Sequence, residues 1–523
     1  MPPVVAAVGA VASAVGTAVG VGAPIALATT TTVAAGSSLF ASIATTLITG
    51  LITTAAQYAL GASSSNKSTV ASVNDSGSKQ TVRGTVVKHR IIYGESLVGG
   101  AIFFYDCIPP HLYAGYALCA HEIDSLVNVR IGIQDVLFTP EGNAVTPPFY
   151  DGSRIYLKTS VRLGKDDQTI DPLLTAAFPP DGDNIIKDAE TKAVTNLPTT
   201  FTQKGTATVV CKADYGSDRD DFEKVWNSRF EPLFKVRGKK IYDPRKPTHD
   251  VDDPSTWEWS NNATLIIIDY CMASYGGRRK ASEIDWDSVV TAANYDDEWV
   301  DTLSGVPERR YTINGVITKG DSFDSVITSM LTANRGELVI ENNKVVIYSG
   351  VRAEPEMTIT DDDIMDSFEY RSSSPKKQMV NTLRAEFIAP DREYQTENMP
   401  VYKNQDYIDL DGEVLDTTLS LPFTEGASRA QRITKAFIED SRLGKTVTTT
   451  VGHRFIPLRA GQVVRVAMKN FTNANGLYKV NQAGISNDLA SVSLTLTEYD
   501  DTIYDWDYTV DEKPFELNLE EST

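Results

Sequence analysis

The chain has 523 residues, 49 of them basic and 69 acidic, for a net charge of −20 at pH 7, and it carries four cysteines. That length allows about three to four domains. The acidic balance disfavours general binding to duplex nucleic acid, which needs clustered cations to release counterions. Cys107, Cys119, Cys211 and Cys271 form no CxxC pair; this argues against a disulfide framework and suits assembly in a reducing cytoplasm.

Residues 1–66 hold no Asp, Glu, Lys, Arg or His, and the first charge is Lys67. Such a stretch has too little polar side-chain surface to stay soluble alone, so lipid, copies of itself or a larger assembly must cover it. It lacks the basic start of a secretory signal, and its apolar run is several times too long for one. Gly16 and Gly20 stand at a small-xxx-small spacing that lets helix backbones approach closely. Leu39, Ile43, Leu47 and Leu51 recur every four residues beside Ile48 and Ile52, with threonines opposite. That periodicity predicts a helix over Leu39–Leu60, about 33 Å long and enough to cross a hydrocarbon core. Two readings stay open: a helix bundled against symmetry copies, or a membrane-active segment.

Residues 67–80 read as a linker. Strand-like runs follow at Thr81–Ile92, Gly100–Tyr105, His111–Ile123, Leu126–Ile133 and Thr206–Ala213, a spacing that suggests a barrel or sandwich. Within this first β region, 81–213, residues 164–204 are rich in Asp, Pro and Thr and read as an inserted loop. The middle, 214–375, is mixed α+β: a helical patch near Asp221–Phe230, an apolar element Asn261–Tyr275 and a helix–hairpin unit Gly320–Tyr348. In that unit Asp321 is the expected N-cap, and Glu337–Ile340 pairs with Lys344–Tyr348 across Asn342-Asn343. The second β region, 376–500, contains one helix with Thr424 as expected N-cap and Ala430, Ile433 and Phe437 on its buried face. Strands are expected at Lys445–Phe455, Val463–Met468, Tyr478–Ala483 and Ser491–Thr497. The acidic, aromatic segment 501–523 reads as an arm that docks by its rings. The pattern is therefore α+β and predominantly β.

Candidate sites are few. Cys107, His111, Cys119 and His121 place four soft ligands within 15 residues, which permits zinc or simple packing. Lys235, Arg237, Lys239, Lys240, Arg245 and Lys246 form a basic stretch; it could grip an acidic partner, line a DNA path or lie solvated. Asp361-Asp362-Asp363 lacks Ca²⁺-loop spacing and reads as solvated. No GxSxG, Walker-type loop or HExxH appears, so no enzyme, metal or cofactor is expected.

Seven stretches, in order, resemble the central tail-tip hub family of long-tailed phages, the lambda-type J proteins responsible for tip attachment. They are Ile91–Gly100 (IIYGESLVGG), Ala120–Ser125, Asn262–Gly276 (NATLIIIDYCMASYG), Tyr311–Val316 with the Gly320–Tyr348 unit, Asn381–Pro390, Leu421–Arg432 (LPFTEGASRAQR) and Leu458–Val466. The uncharged N-terminus has no counterpart in this set. The resemblance implies a homotrimer that closes the distal end of a tail tube. It also implies two tube-type β-barrel domains per chain, for which 81–213 and 376–500 are the candidates. Implied partners are the distal tail protein, the tail tube and the tape-measure protein, with no sequence-specific nucleic-acid binding; the charge-free length of residues 1–66 adds the host membrane as a partner during DNA ejection. The implied location is the virion tail tip, after assembly in the host cytoplasm. A membrane-inserting, pore-forming effector is the alternative, and a carbohydrate-active tail enzyme a third.

Overall fold

A computed structural model describes residue 81 and residues 88–515, apart from 184, 189–192, 217–221, 224, 227–229, 342, 373–378, 393 and 488. The charge-free segment, with Leu39, Ile43, Leu47, Ile48, Leu51 and Ile52, and the linker lie outside the described residues. Among the described residues no helix is long and apolar enough to cross a membrane.

Two four-stranded antiparallel sheets open the described chain. One runs in the order Ala101–Ile108, His111–Cys119, Ala207–Asp214, Leu157–Arg162; the other runs Glu95–Gly99, Pro232–Arg237, Ser125–Ile131, Gln134–Val136. Successive side chains of a strand face opposite sides, and the first sheet uses both. Leu112, Ala114 and Tyr116 enter the core shared with the second sheet, where the rings of Tyr116 and Phe234 lie 5.3 Å apart. Tyr113 and Val210 face the other way, into an aromatic cluster with Leu174, Phe178 and Leu197. Those three belong to residues 164–204. The stretch read from composition as a loop holds the helix Pro172–Ala177 and the hairpin Ile186–Lys187/Val194–Asn196. Its few apolar residues are spent covering a sheet face, which composition hides.

The strand expected from Thr81 is described only as Arg90–Tyr93, and its partner is remote: it pairs antiparallel with Gly315–Thr318. The middle of the chain and the start of the second β region form one large core. Its centre is the helix Ala263–Met272, buried on every side from Ala263 to Cys271, as an all-round apolar helix must be. Around it pack the helices Trp286–Asp296 and Phe323–Asn334, the hairpin Glu337–Glu341/Lys344–Tyr348 and the helix Ala427–Arg442. The strands Thr382–Ala389 and Asp416–Glu425 pair in parallel beside them.

The local punctuation of these helices departs from expectation at two N-termini. Ser322, not Asp321, caps Phe323–Asn334 by accepting from the Ser325 amide; Asp321 accepts instead from the Thr318 amide at 3.0 Å and closes the preceding turn. Thr424 does not cap the helix Ala427–Arg442: it belongs to the strand Asp416–Glu425, and Gly426 at φ 91° makes the turn. The hairpin forms where expected, with Glu341 opposite Lys344 and Asn343 at φ 63°.

A six-stranded sheet completes the body in the order Met357–Thr360, Val463–Ala467, Gly476–Ile485, Ser491–Tyr499, Thr446–Gly452, Ile364–Arg371. Its first pair is parallel and the rest antiparallel. The two edge strands are consecutive in sequence, separated only by Asp361–Asp363, so the sheet must roll until its edges meet. Asp363 accepts from the Thr360 amide at 2.9 Å and pairs with Arg454 at 2.6 Å; Asp361 accepts from the Lys469 amide at 2.6 Å. Asp361 and Asp363 are thus bound into the turn that joins the edges, while Asp362 stays exposed. The interior is apolar, with Phe455, Val464, Tyr478, Val492, Leu494 and Leu496 almost wholly buried.

Segment 500–515 lies along the helix Ala427–Arg442. Gln431 and Lys513 exchange hydrogen bonds of 2.8 and 3.0 Å, Lys435 pairs with Asp511 at 2.7 Å, and Phe515 meets Phe387 edge-on.

Candidate functional site

The described stretches that carry the hub resemblance are far apart in sequence, and several meet at one junction of buried polar groups. Gly94 makes the first turn, at φ +62°; a Cβ there would stand 2.2 Å from Asn314 Oδ1 and 2.3 Å from the Ile313 carbonyl oxygen. This position requires glycine for both its conformation and its close approach. Asn314 then bridges three segments. Its Oδ1 accepts from the Glu95 amide at 2.8 Å, its Nδ2 donates to Glu425 Oε2 at 3.1 Å, and its own amide donates to the Phe423 carbonyl at 3.1 Å.

Beside this bridge, the Tyr93 hydroxyl donates to Asp269 at 2.6 Å, and Lys239 reaches both oxygens of the same carboxylate at 2.6 and 2.8 Å. Burial, reinforced by the Asp269 charge, holds the Tyr93 phenol well above its ordinary pKa. Burial alone would depress the Lys239 ammonium, but Asp269 and Tyr275 outweigh it and raise the value. Asp296 is fully buried and accepts from the Thr264 amide and hydroxyl at 2.7 and 2.6 Å and from Ser349. Desolvation pushes its carboxyl up to about 7 despite those donors.

The helix Ala427–Arg442 supplies two buried guanidiniums three residues apart, on one face. Arg429 donates to the carbonyls of Arg309 and Glu425, and Arg432 pairs with Glu308 at 2.7 Å and donates to the Arg310 carbonyl. Together they fix residues 308–310. Desolvation raises the Glu425 carboxyl to about 8; nearby Arg429, Lys235 and Asn314 oppose the rise, while Glu95 adds to it.

The six residues of the basic stretch all face carboxylates of this chain. Lys235 and Arg237 both reach Glu95, at 2.8 and 3.2 Å, and Lys240 lies 3.7 Å from Glu122. Lys239 has Asp269; Arg245 pairs with Asp243 and Asp297, each at 2.8 Å, and Lys246 with Glu258. Arg237 also stacks over Trp259, and Lys235 over Tyr394. Lys235, Arg237 and Lys239 therefore join the junction, whereas Arg245 and Lys246 tie down a separate loop.

The soft ligands do not gather. Cys107 is exposed and Cys119 buried. His111 faces Asp214 at 3.9 Å. His121 Nε2 accepts from the Ile92 amide at 2.9 Å and its Nδ1 donates to the Glu122 carbonyl at 2.7 Å, so both ring nitrogens are occupied. Burial depresses its pKa to about 4 and keeps the ring neutral. Among the described residues no group of three or more His, Cys, Asp or Glu could hold a metal ion.

Sequence reasoning found the basic stretch but missed Asn314, Asp296, Glu425, Arg429 and Arg432. The one available signal was that several of them fall inside the hub-like stretches.

Residues 322–478 match the model of a family described as a putative phage tail protein. A chain from the virion of a native gene transfer agent particle has a similar fold at 13% identity and a TM-score of 0.50; the alignment covers 90% of this chain and 97% of that one. The 43 kDa tail protein of prophage MuSo2 from Shewanella oneidensis aligns at 10% identity over 79% of this chain and 96% of its own, with a TM-score of 0.27. Prophage tail protein gp18 from Listeria monocytogenes EGD-e aligns at 8% identity over 78% of this chain and 88% of its own, with a TM-score of 0.24. No curated protein matches the sequence. The 322–478 stretch is thus of phage-tail type, and the gene transfer agent chain shares the fold over most of the length.

Proposed function

We propose that the chain is a structural protein of a phage-type tail, and specifically a homotrimeric hub at the tail tip that caps the tube. The observation that carries this reading is the alignment with a virion chain over 90% of this chain and 97% of that one. The phage-tail match at residues 322–478 and the meeting of hub-like stretches at the junction support it. In this reading the function lies in interfaces rather than in a catalytic centre. The rolled sheet and the paired sheets serve as the two tube-type units, and the junction sets their relative register. The charge-free segment of residues 1–66 plugs the lumen or meets the host membrane on ejection. Partners are the distal tail, tube and tape-measure proteins.

Light scattering on residues 67–523 and on the full chain tests the assembly. Three copies in each are expected. A monomeric body beneath an oligomeric full chain would shift assembly to the apolar segment and favour the membrane-inserting effector. Liposome leakage by purified protein, without any virion, would favour that effector further.

A further inference from the structure

The hairpin Trp299–Val300/Glu308–Arg309 has two residues in each strand, too few to hold a fixed shape without outside support. The body supplies that support. Arg429 and Arg432, both buried, clasp Glu308 and the carbonyls of Arg309 and Arg310. From the C-terminal segment, Glu512 Oε2 accepts from the Leu303 amide at 3.1 Å and from the Ser428 hydroxyl at 2.9 Å, so one oxygen ties the hairpin to the helix Ala427–Arg442. The tip also closes on itself. Thr302, almost wholly buried, donates its hydroxyl to the Val306 carbonyl at 2.8 Å, and its own carbonyl accepts from the Gly305 amide, where φ is +77°.

What this fixed tip displays is apolar. Trp299, Leu303 and Val306 are 63, 45 and 69% exposed, and Pro307 is exposed beside Val306. The Arg309 guanidinium lies 4.1 Å from the Trp299 ring centre. Single exposed apolar side chains are ordinary. Three on one short, preorganised hairpin have the make-up of an interface centre, where Trp is enriched and the ordering cost of binding is already met. The outward charge is acidic: Asp301 is exposed, whereas Arg309 is engaged by the Asp297 carbonyl and Arg310 by the Glu298 carboxylate.

We propose that this hairpin is a docking knob for a different protein of the same particle, one that offers an apolar socket rimmed by Lys or Arg. The inference rests on the reading of the chain as a tail protein. Trp299, Leu303 and Val306 fill the socket, and Asp301 meets its cationic rim. Anionic lipid and nucleic-acid phosphates are disfavoured by Asp301 and by the net charge of −20, and a second copy brings that same acidic balance.

Hydroxyl-radical labelling of the full chain, free and in purified particles, reads Trp299 directly. Labelling about fivefold slower in the particle is expected, since the core of an interface excludes water. Labelling at the free rate overturns the docking site and leaves the tail reading standing; particles without the chain overturn both. Zero-length carbodiimide cross-linking of the same particles then identifies the socket. A link from Asp301 to a lysine of a different protein is expected, and a link to a lysine of a second copy overturns the proposal. The double variant Trp299→Ser/Leu303→Ser should melt with the unchanged chain when free, yet enter particles about tenfold less. Incorporation at the level of the unchanged chain overturns the proposal as well.

Discussion

The rolled sheet and the junction are held together by different physics. The sheet, from Met357 to Tyr499, closes around side chains such as Val464, Leu494 and Leu496, all at or below 1% exposure. Its stability scales with apolar area and tolerates any residue of similar shape. The junction buries Asp269, Asp296, Arg429 and Arg432 and half-buries Glu425, each of which must find its partner. A buried ion pair adds little net stability over an apolar replacement, but losing one partner is severe. The contrast teaches that the sheet supplies stability, while the junction specifies which segments meet.

Substitutions at four positions would sharpen or break that contrast. Arg429→Ala should have the largest effect, about 3–5 kcal/mol, because it leaves the buried carbonyls of Arg309 and Glu425 without this donor and removes one of the two cations beside Glu308. A urea titration reads it; a loss below ~1 kcal/mol would mean the junction is as tolerant as the sheet. Leu494→Ala should lose about 2–5 kcal/mol by leaving a cavity. Replacing Leu494 by Met should cost less than ~1.5 kcal/mol, whereas no single apolar residue should rescue Arg429.

Glu425→Gln isolates the titratable part of the junction. Burial lifts its carboxyl from the ordinary 4.5 to about 8. Between those values the unfolded chain releases a proton that the folded chain keeps, so this group's contribution to stability falls as pH rises through the window. Glutamine has no such proton and keeps the amide-accepting oxygen for Asn314. The variant should therefore melt higher than the unchanged chain at pH 8, with the gap closing by pH 4.5. A gap that does not change with pH would show that Glu425 is already ionised at neutral pH. Lys240→Ala should matter least: its pair with Glu122 is 3.7 Å long and partly exposed on both sides, worth no more than about 1 kcal/mol. A larger loss would place Lys240 in the junction after all.

Much of the local structure was legible. The helix over 323–334, the 337–348 hairpin and the final strands follow from apolar period and turn residues, signals that act within a few residues. Where two cap residues compete, as Asp321 and Ser322 do, the sequence pattern does not decide, because both side chains suit the site and only the geometry of the preceding turn distinguishes them. The short elements within 164–204 are hidden for a similar reason: its few apolar residues gain meaning only against the sheet face they cover. The junction was least legible. Tyr93 and Asp269 are 176 positions apart, and Asn314 and Glu425 are 111 apart.

By itself the sequence determined the period-2 and period-3.6 segments, the charge-free first 66 residues and the order of the hub-like stretches, since each is a property of neighbours along the chain. Tertiary structure alone decided that the cationic run 235–246 is spent on this chain's own carboxylates, that His121 is a satisfied neutral ring, and that strand 90–93 pairs with 315–318. The physical reason is that charge and hydrogen bonding act through space. Which donor meets which acceptor depends on the path the backbone takes between them, and no local pattern records that path.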